Sequence, residues 1–273
     1  MTCPWDTQIT EFSTWLKAAG RTPRTIETRV RWLRTLIETT DCTPATITHH
    51  EIASWLANPN WKPNSRRNAL ASARRFFHYL EITGYRKEDP TTLLLPIRVP
   101  RAKTRPMPTS IITQALENSP STEQQLMLLL GALAGLRRTE IASLHTSNYV
   151  QGWLTITGKG GNIRQIPVHP QLAPFLDLKS KGYYFPGRFT GHRSNDNIAK
   201  KISHLLGANY TPHSLRHWFA TTVYSETQDI RAVQELLGHA DITTTQLYIG
   251  IEETSLKTAV KTLPNLLTAS AQK

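Results

Sequence analysis

From Pro90 to Pro108 the chain meets proline at positions 90, 96, 100, 106 and 108. Proline has no backbone N–H and pushes the residue before it out of the helical region, so this stretch forms neither a helix nor a central strand. It shows no helical period either, and it reads as an interdomain linker. The chain is thereby cut into a first body over residues 1–89, a linker over 90–108 and a second body over 109–273. A length of 273 residues is enough for each body to bury its own core. The linker carries Arg98, Arg101, Lys103 and Arg105 with no acid, so four of the net +12 charges sit in it. An extended basic segment of this kind is suited to follow a polyanion's backbone.

The first body reads as helical. Ile9, Phe12 and Leu16 share a face, and Gly20 stops that helix. Ile26, Val30, Leu33 and Ile37 make a second stripe. Thr48-His49-His50-Glu51 has the form of a capping box and opens a short helix through Leu56. Leu70, Ala73, Phe77 and Leu80 mark a fourth helix, ended by Gly84. Arg24, Arg31 and Arg34 lie opposite the second stripe, and Arg66, Arg67, Arg74 and Arg75 flank the fourth. They are either a solvated surface or a set of phosphate contacts.

The second body is mostly helical as well. Ser121-Thr122-Glu123-Gln124 reads as another capping box, opening an apolar helix through Gly135. Trp153–Thr157 and Ile163–Val168 are β-rich runs around a glycine-rich turn, hence a hairpin. Further helices are expected at 195–206, 213–225, 229–237 and 241–248. The fold class is therefore mainly α with a small β-hairpin or sheet, of the α+β kind.

A sequence pI of about 9.9 favours a polyanionic partner, although a basic enzyme need not touch nucleic acid. Cys3 and Cys42 are the only cysteines and form no CxxC pair, so neither a metal site nor a disulfide scaffold is expected. Met1–Asp6 lacks the charged and apolar regions of a signal peptide. The longest apolar run, Leu126–Leu136, is too short to span a bilayer.

Six side chains could carry chemistry. Arg137 stands in Ala134-Gly135-Leu136-Arg137-Arg138-Thr139-Glu140, with Glu140 placed to hold its guanidinium. Lys159 stands in Thr157-Gly158-Lys159-Gly160-Gly161, at the hairpin tip; the GxxxxGK[ST] spacing of a P-loop is absent. His213-Ser214-Leu215-Arg216 puts a histidine and an arginine on one helix face, with Pro212 suited to the first helical position. His217 follows as a competing histidine, read here as packing. His239 follows Leu236-Leu237-Gly238, and Tyr248 comes nine residues later. Taken singly, each is an ordinary surface or packing residue. Together they supply fixed positive donors for a charge-accumulating phosphodiester and a phenol that cationic neighbours can activate.

This ordered set closely resembles the tyrosine recombinase (phage integrase) family. The resemblance covers about residues 109–250 in motif and the whole chain in architecture: helical core-binding domain, basic linker, catalytic domain. It implies a site-specific DNA recombinase in which Tyr248 attacks the scissile phosphate, giving a 3′-phosphotyrosine and a free 5′ hydroxyl. Arg137, Arg216 and His239 would stabilise the transition state, His213 would assist proton transfer, and Lys159 would protonate the leaving oxygen. No cofactor and no metal are implied. The DNA contacts expected are Arg24, Arg31, Arg66, Arg67, Arg74, Arg98, Arg101, Lys103 and Arg105. Partners implied are double-stranded DNA attachment sites, further copies in a DNA-bound tetramer, and a directionality factor, in a bacterial cytoplasm with no membrane role. With its first helix starting near Asp6, the chain leaves no room for an arm-binding domain and resembles a minimal integrase or a Xer-type resolvase. Ile251, Leu256, Val260 and Leu263 form a tail stripe, which in the family often docks on a neighbouring protomer; packing on its own domain is the alternative. The rival readings are a Xer-type dimer resolvase, a type IB topoisomerase and a DNA-binding accessory protein that no longer cleaves.

Overall fold

The computed structural model describes residues 4–100, 107–158, 161–207, 209–238 and 253–266, the side chains of 253–255 excepted. The chain divides into two compact units, Met1–Lys103 and Thr104–Lys273. In the first, α1 (Pro4–Ala18), α2 (Pro23–Ile37), α3 (His49–Leu56) and α4 (Pro63–Ile82) surround an aromatic core. Pro23 and Pro63 occupy the first helical turns of α2 and α4, where the missing N–H has no intrahelical partner to lose. Ahead of α3, the Glu51 carboxylate accepts from the Thr48 N–H at 2.6 Å, as the sequence pattern suggested. Phe12, Phe76, Phe77 and Leu80 are fully buried; Trp5 stacks on Phe76 at 5.8 Å and Phe12 meets it edge-on at 5.3 Å. On α2 the deep positions are Leu33 and Leu36, while Ile26, Val30 and Ile37 are only partly buried, so the buried stripe is rotated from the expected one.

Part of the proline-rich segment belongs to this unit. Asp89 accepts from the Thr91 N–H and hydroxyl, both at 2.7 Å, Leu94 and Ile97 pack against the first core, and Arg74 donates to the Leu94 carbonyl. Residues 101–106, which include Arg101, Lys103 and Arg105, lie outside the described residues.

The second unit contains α5 (Thr109–Glu117), α6 (Thr122–Leu133), α7 (Arg138–Ala142), β1 (Tyr149–Val150), β2 (Trp153–Thr157), β3 (Ile163–Pro167), α8 (Ala173–Asp177), β4 (Pro186–Gly187), β5 (Gly191–His192), α9 (Asn195–Leu206), α10 (Pro212–Thr227), α11 (Ile230–Leu237) and α12 (Glu253–Lys261). An antiparallel sheet runs β1-β2-β3, with Ile156 opposite Arg164, and β4 pairs with β5. The structure is thus mainly helical with small antiparallel sheets, the α+β class expected. The two-residue strands and α8 escape a sequence reading because they are too short to show a period. The helix expected at 241–248 lies outside the described residues.

Helix α6 is the centre of the second core, with Leu126 to Leu133 all buried. An all-round apolar helix needs neighbours on every side. On one side α10 comes to backbone distance: a Cβ on Gly131 would stand 2.8 Å from Leu215 Cδ1. Gly135, at φ +60°, turns the chain out of α6 while facing the Phe219 ring, 2.6 Å from where a Cβ would be. Any larger residue at 135 meets both backbone strain and a clash.

The tail is seated on this same unit. Leu256, Ala259, Val260, Leu263 and Leu266 are buried. The His169 ring accepts the Gln171 N–H at Nδ1 (3.2 Å) and donates from Nε2 to the Leu263 carbonyl (3.3 Å), and the Leu266 N–H donates to Gln171 Oε1 at 2.7 Å. Of the tail stripe, Leu256, Val260 and Leu263 are seated on their own chain, the alternative reading, while Ile251 lies outside the described residues.

Burial lowers the pKa of His169, with the Leu263 carbonyl opposing. The neutral ring is the folded form, and Nδ1 must be unprotonated to accept the Gln171 N–H. The unfolded chain then takes up a proton first, near the ordinary value of about 6.5. The stability that His169 contributes is intact above that value and is lost progressively as pH falls below it, through the lower folded value. Thermal unfolding followed from pH 7.5 to 5.5 is expected to fall more steeply for the wild type than for His169→Gln; equal slopes would remove His169 from the account.

Candidate active site

The site is built around a carboxylate. Arg137 is the N-cap of α7, and its N–H donates to Glu140 Oε2 at 2.8 Å while its Nη1 donates to Oε1 at 2.9 Å. The pair that the sequence suggested is present, and it is only part of the arrangement. Arg164, on β3, donates from Nη1 and Nη2 to the two oxygens of Glu140 at 2.9 and 2.7 Å, a bidentate fork. Its Nε donates to the Leu236 carbonyl near the end of α11 at 2.9 Å. Arg216, on α10, donates to the carbonyls of Gly135 (2.6 Å) and Leu237 (2.5 Å), and its Nη1 lies 4.0 Å from Glu140.

Burial sorts these groups. The side chains of Glu140, Arg164 and Arg216 are 4–6% exposed, whereas that of Arg137 is 33% exposed. Burial pushes the Glu140 carboxyl up, but the hydrogen bonds and charges of Arg164 and Arg137 outweigh it and hold the group below the ordinary carboxylate range. Arg216 is lowered to about 10, by burial first and then by repulsion from Arg137, with Glu140 opposing. It is still charged at neutral pH.

A cavity of about 520 Å³ opens over this cluster, lined by Arg137, Arg138, Thr139, Ser203, His213 and Arg216 among others. His213 stands in the first turn of α10, which Pro212 begins as expected and where the Thr211 N–H donates to the Ser214 hydroxyl at 3.1 Å. Its pKa is lowered, by partial desolvation first and then by the positive surroundings of His217, Arg216 and Arg137. His213 therefore presents a neutral imidazole at pH 7, able to take a proton. His217 packs against it edge-on at 4.3 Å, and Trp218 is buried with its Nε1–H donating to Thr109 at 3.3 Å.

Of the six candidates, the structure brings together Arg137, His213 and Arg216. Lys159, His239 and Tyr248 lie outside the described residues. The described chain neighbours of Lys159 and His239 nonetheless end at the cluster. Gly158 lies within 3.8 Å, at its Cβ position, of both Arg137 Nη1 and Arg164 Nη1. Gly238, at φ +60°, leaves only 2.7 Å between its Cβ position and Arg164 Cδ.

Arg164 was not singled out by sequence. The signal was there: in the β3 alternation it shares the inward face with Ile166, and a charge on a core face demands a partner. In the first unit, Arg24, Arg31, Arg67 and Arg98 are exposed. Arg66 and Arg74 instead donate to the chain's own Asn58 and Leu94 carbonyls. Arg29, unremarked in the sequence, donates to Ser72 across α2 and α4, and its pKa is lowered by burial and then by nearby Arg75 and Arg21. Those three arginines therefore form a basic cluster. Among the described residues no group of metal-ligating side chains is found, and no helix is long and apolar enough to cross a membrane.

Residues 109–254 match the phage integrase family. The tyrosine recombinase XerD of Vibrio cholerae serotype O1 is 31% identical over 232 residues, covering 76% of this chain and 77% of its own. The integrase from mycobacterium phage Brujita has a structure that superposes at a TM-score of 0.57 with 26% identity, over 94% of this chain and 92% of its own. Lambda integrase, in a dimer bound to a COC′ core site, superposes at 0.73 with 19% identity, over 90% of this chain and 99% of its own, a likeness of fold.

Removing the charge of a buried carboxylate that faces three guanidinium groups leaves them uncompensated. Glu140→Gln keeps the volume, and it is expected to cost about 3–5 kcal/mol in denaturant unfolding of the second unit. A loss below about 1 kcal/mol would show that the guanidinium groups hold their places without it.

Proposed function

The chain belongs to the phage integrase family and is a tyrosine site-specific recombinase, and we propose that it breaks and rejoins DNA through a 3′-phosphotyrosyl link to Tyr248. The supporting observation is the pair Arg137 and Arg216 converging with a neutral His213 on one cavity. Attack on a phosphodiester places extra negative charge on the non-bridging oxygens, and donors that need not reorganise lower that barrier most. Arg216 is held by two carbonyls and Arg137 by a carboxylate, so both are set before a ligand arrives.

In this reading Tyr248 attacks phosphorus, His213 assists transfer of the phenolic proton, and Lys159 protonates the departing 5′ oxygen. Arg137, Arg216 and His239 stabilise the charge between them. The tyrosyl ester retains the energy of the bond it replaces, so rejoining by a 5′ hydroxyl calls for neither ATP nor a metal. The first unit serves as a core-type DNA-binding domain, with exposed Arg24, Arg31, Arg67 and Arg98 meeting phosphates. Arg101, Lys103 and Arg105 continue that role in the linker. Lambda integrase is described as a tetramer on a Holliday junction, and we take the same assembly on attachment sites as the working state of this chain. The tail would then leave its seat at His169 and Gln171 for the same seat on a neighbour, and a directionality factor would bias the outcome. Integration and excision of a mobile element is the role we assign. The likeness to XerD supports dimer resolution as the second.

The decisive experiment uses a nicked suicide substrate carrying a core site recovered by selecting bound duplexes, without metal, beside Tyr248→Phe. A covalent protein–DNA complex that survives denaturation and is absent from the variant is expected. Tight binding to that site with no covalent species would overturn the reading in favour of an accessory protein.

A further inference from the structure

Arg164 is not among the residues that line the cavity, yet it joins three elements around it. It saturates both oxygens of Glu140 and ties the end of α11 through the Leu236 carbonyl. It is also the last buried rung of the hairpin before the turn, since Ile163 is 69% exposed. Three guanidinium groups therefore share one carboxylate. Each positive charge that Glu140 neutralises is a charge unavailable to a bound anion.

The geometry divides the sharing unequally. Arg164 makes two direct hydrogen bonds to the carboxylate, Arg137 donates to it from one side-chain nitrogen, and Arg216 stands off at 4.0 Å. Taking Arg164 away would return the whole negative charge to the other two, and in a buried setting the pull on Arg216 would grow. The Arg137 hydrogen bonds to Glu140 would survive, so the carboxylate would still have a partner.

We propose that Arg164 is a positioning residue for strand cleavage: by neutralising Glu140 it leaves the charges of Arg137 and Arg216 for the scissile phosphate. The inference rests on the reading of those two arginines as the phosphate clamp. A role confined to fixing β3 against α7 would also depend on Arg164, but it would act alike on any substrate.

A substrate whose scissile phosphate is a methylphosphonate separates the two. One non-bridging oxygen becomes methyl, the group carries no charge, and a residue acting through the anion clamp loses its leverage. Covalent-complex formation would be timed on both substrates for the wild type, Arg164→Met, Arg164→Lys and Arg137→Ala. On the phosphodiester Arg164→Met is expected to be slower by about 100-fold, the cost of one misplaced donor, and on the methylphosphonate to lie within about threefold of wild type. Arg164→Lys, which keeps the charge without the fork, should fall between. Equal slowing on both substrates, or no slowing on the phosphodiester, would overturn the proposal. Thermal unfolding and duplex binding check that each variant is folded, and if the Met variant is not, the Lys variant carries the same comparison. Arg137→Ala tests the underlying reading by itself. If the methylphosphonate does not relieve its defect, the clamp assignment fails and this inference with it.

Discussion

One buried carboxylate, Glu140, holds the parts of the pocket together. It accepts from α7's own N-cap residue and from β3, and it stands within 4.0 Å of α10. A buried charge is costly unless paired and hydrogen-bonded. Here the cost is met by three guanidinium groups, and among the described residues Glu140 is the only carboxylate paired with them. The pKa values of Arg216 and His213 are both depressed, first by burial and then by their cationic neighbours. The stable answer to a surplus of fixed positive charge beside an open cavity is a ligand that carries negative charge.

The arginines reach this arrangement through packing of two small residues that take no part in the chemistry themselves. Gly131 lets α10 lie against the backbone of α6, and Gly135 turns the chain where Phe219 fills the space. That approach puts Arg216 where its Nη1 meets the Gly135 carbonyl at 2.6 Å. The carbonyl is free to accept because α6 has ended. The helix that builds the core thus ends at the point where the pocket needs an acceptor, and a larger residue at either glycine would move the Arg216 guanidinium as well as a core side chain.

What the sequence showed and what it hid divide along range. Arg137 with Glu140, His213 with Arg216 and the hairpin strands were legible because each depends on residues a few positions apart. The Arg164 fork joins residues 24 apart, and His169 reaches Leu263 across 94. No local pattern announces such pairs. Arg66 and Arg74 looked like surface charges on an arginine-rich face, and helical spacing cannot tell an arginine that meets solvent from one that has curled onto a nearby carbonyl. The tail stripe was visible as apolar spacing, but spacing does not say which copy of the chain offers the seat. In the structure Gln171 and His169 offer it on the same chain.

The unequal burial of Arg137 and Arg216 suits the proposed reaction. Arg216 is nearly desolvated and held by two carbonyls, so little water screens its charge from whatever enters. Arg137 is one-third exposed and tied to Glu140 by one side-chain hydrogen bond, so its remaining donors are solvated until an anion displaces water from them. Helix α10 begins at Pro212, on the wall of the same cavity, and its N-terminal end adds a partial positive charge there. A phosphate entering this pocket meets one donor that is already in place and one that gains by exchanging water for it. In the proposed reaction the ester would thereby be held while the additional charge of attack falls on two guanidinium groups whose one shared carboxylate is already bound by Arg164.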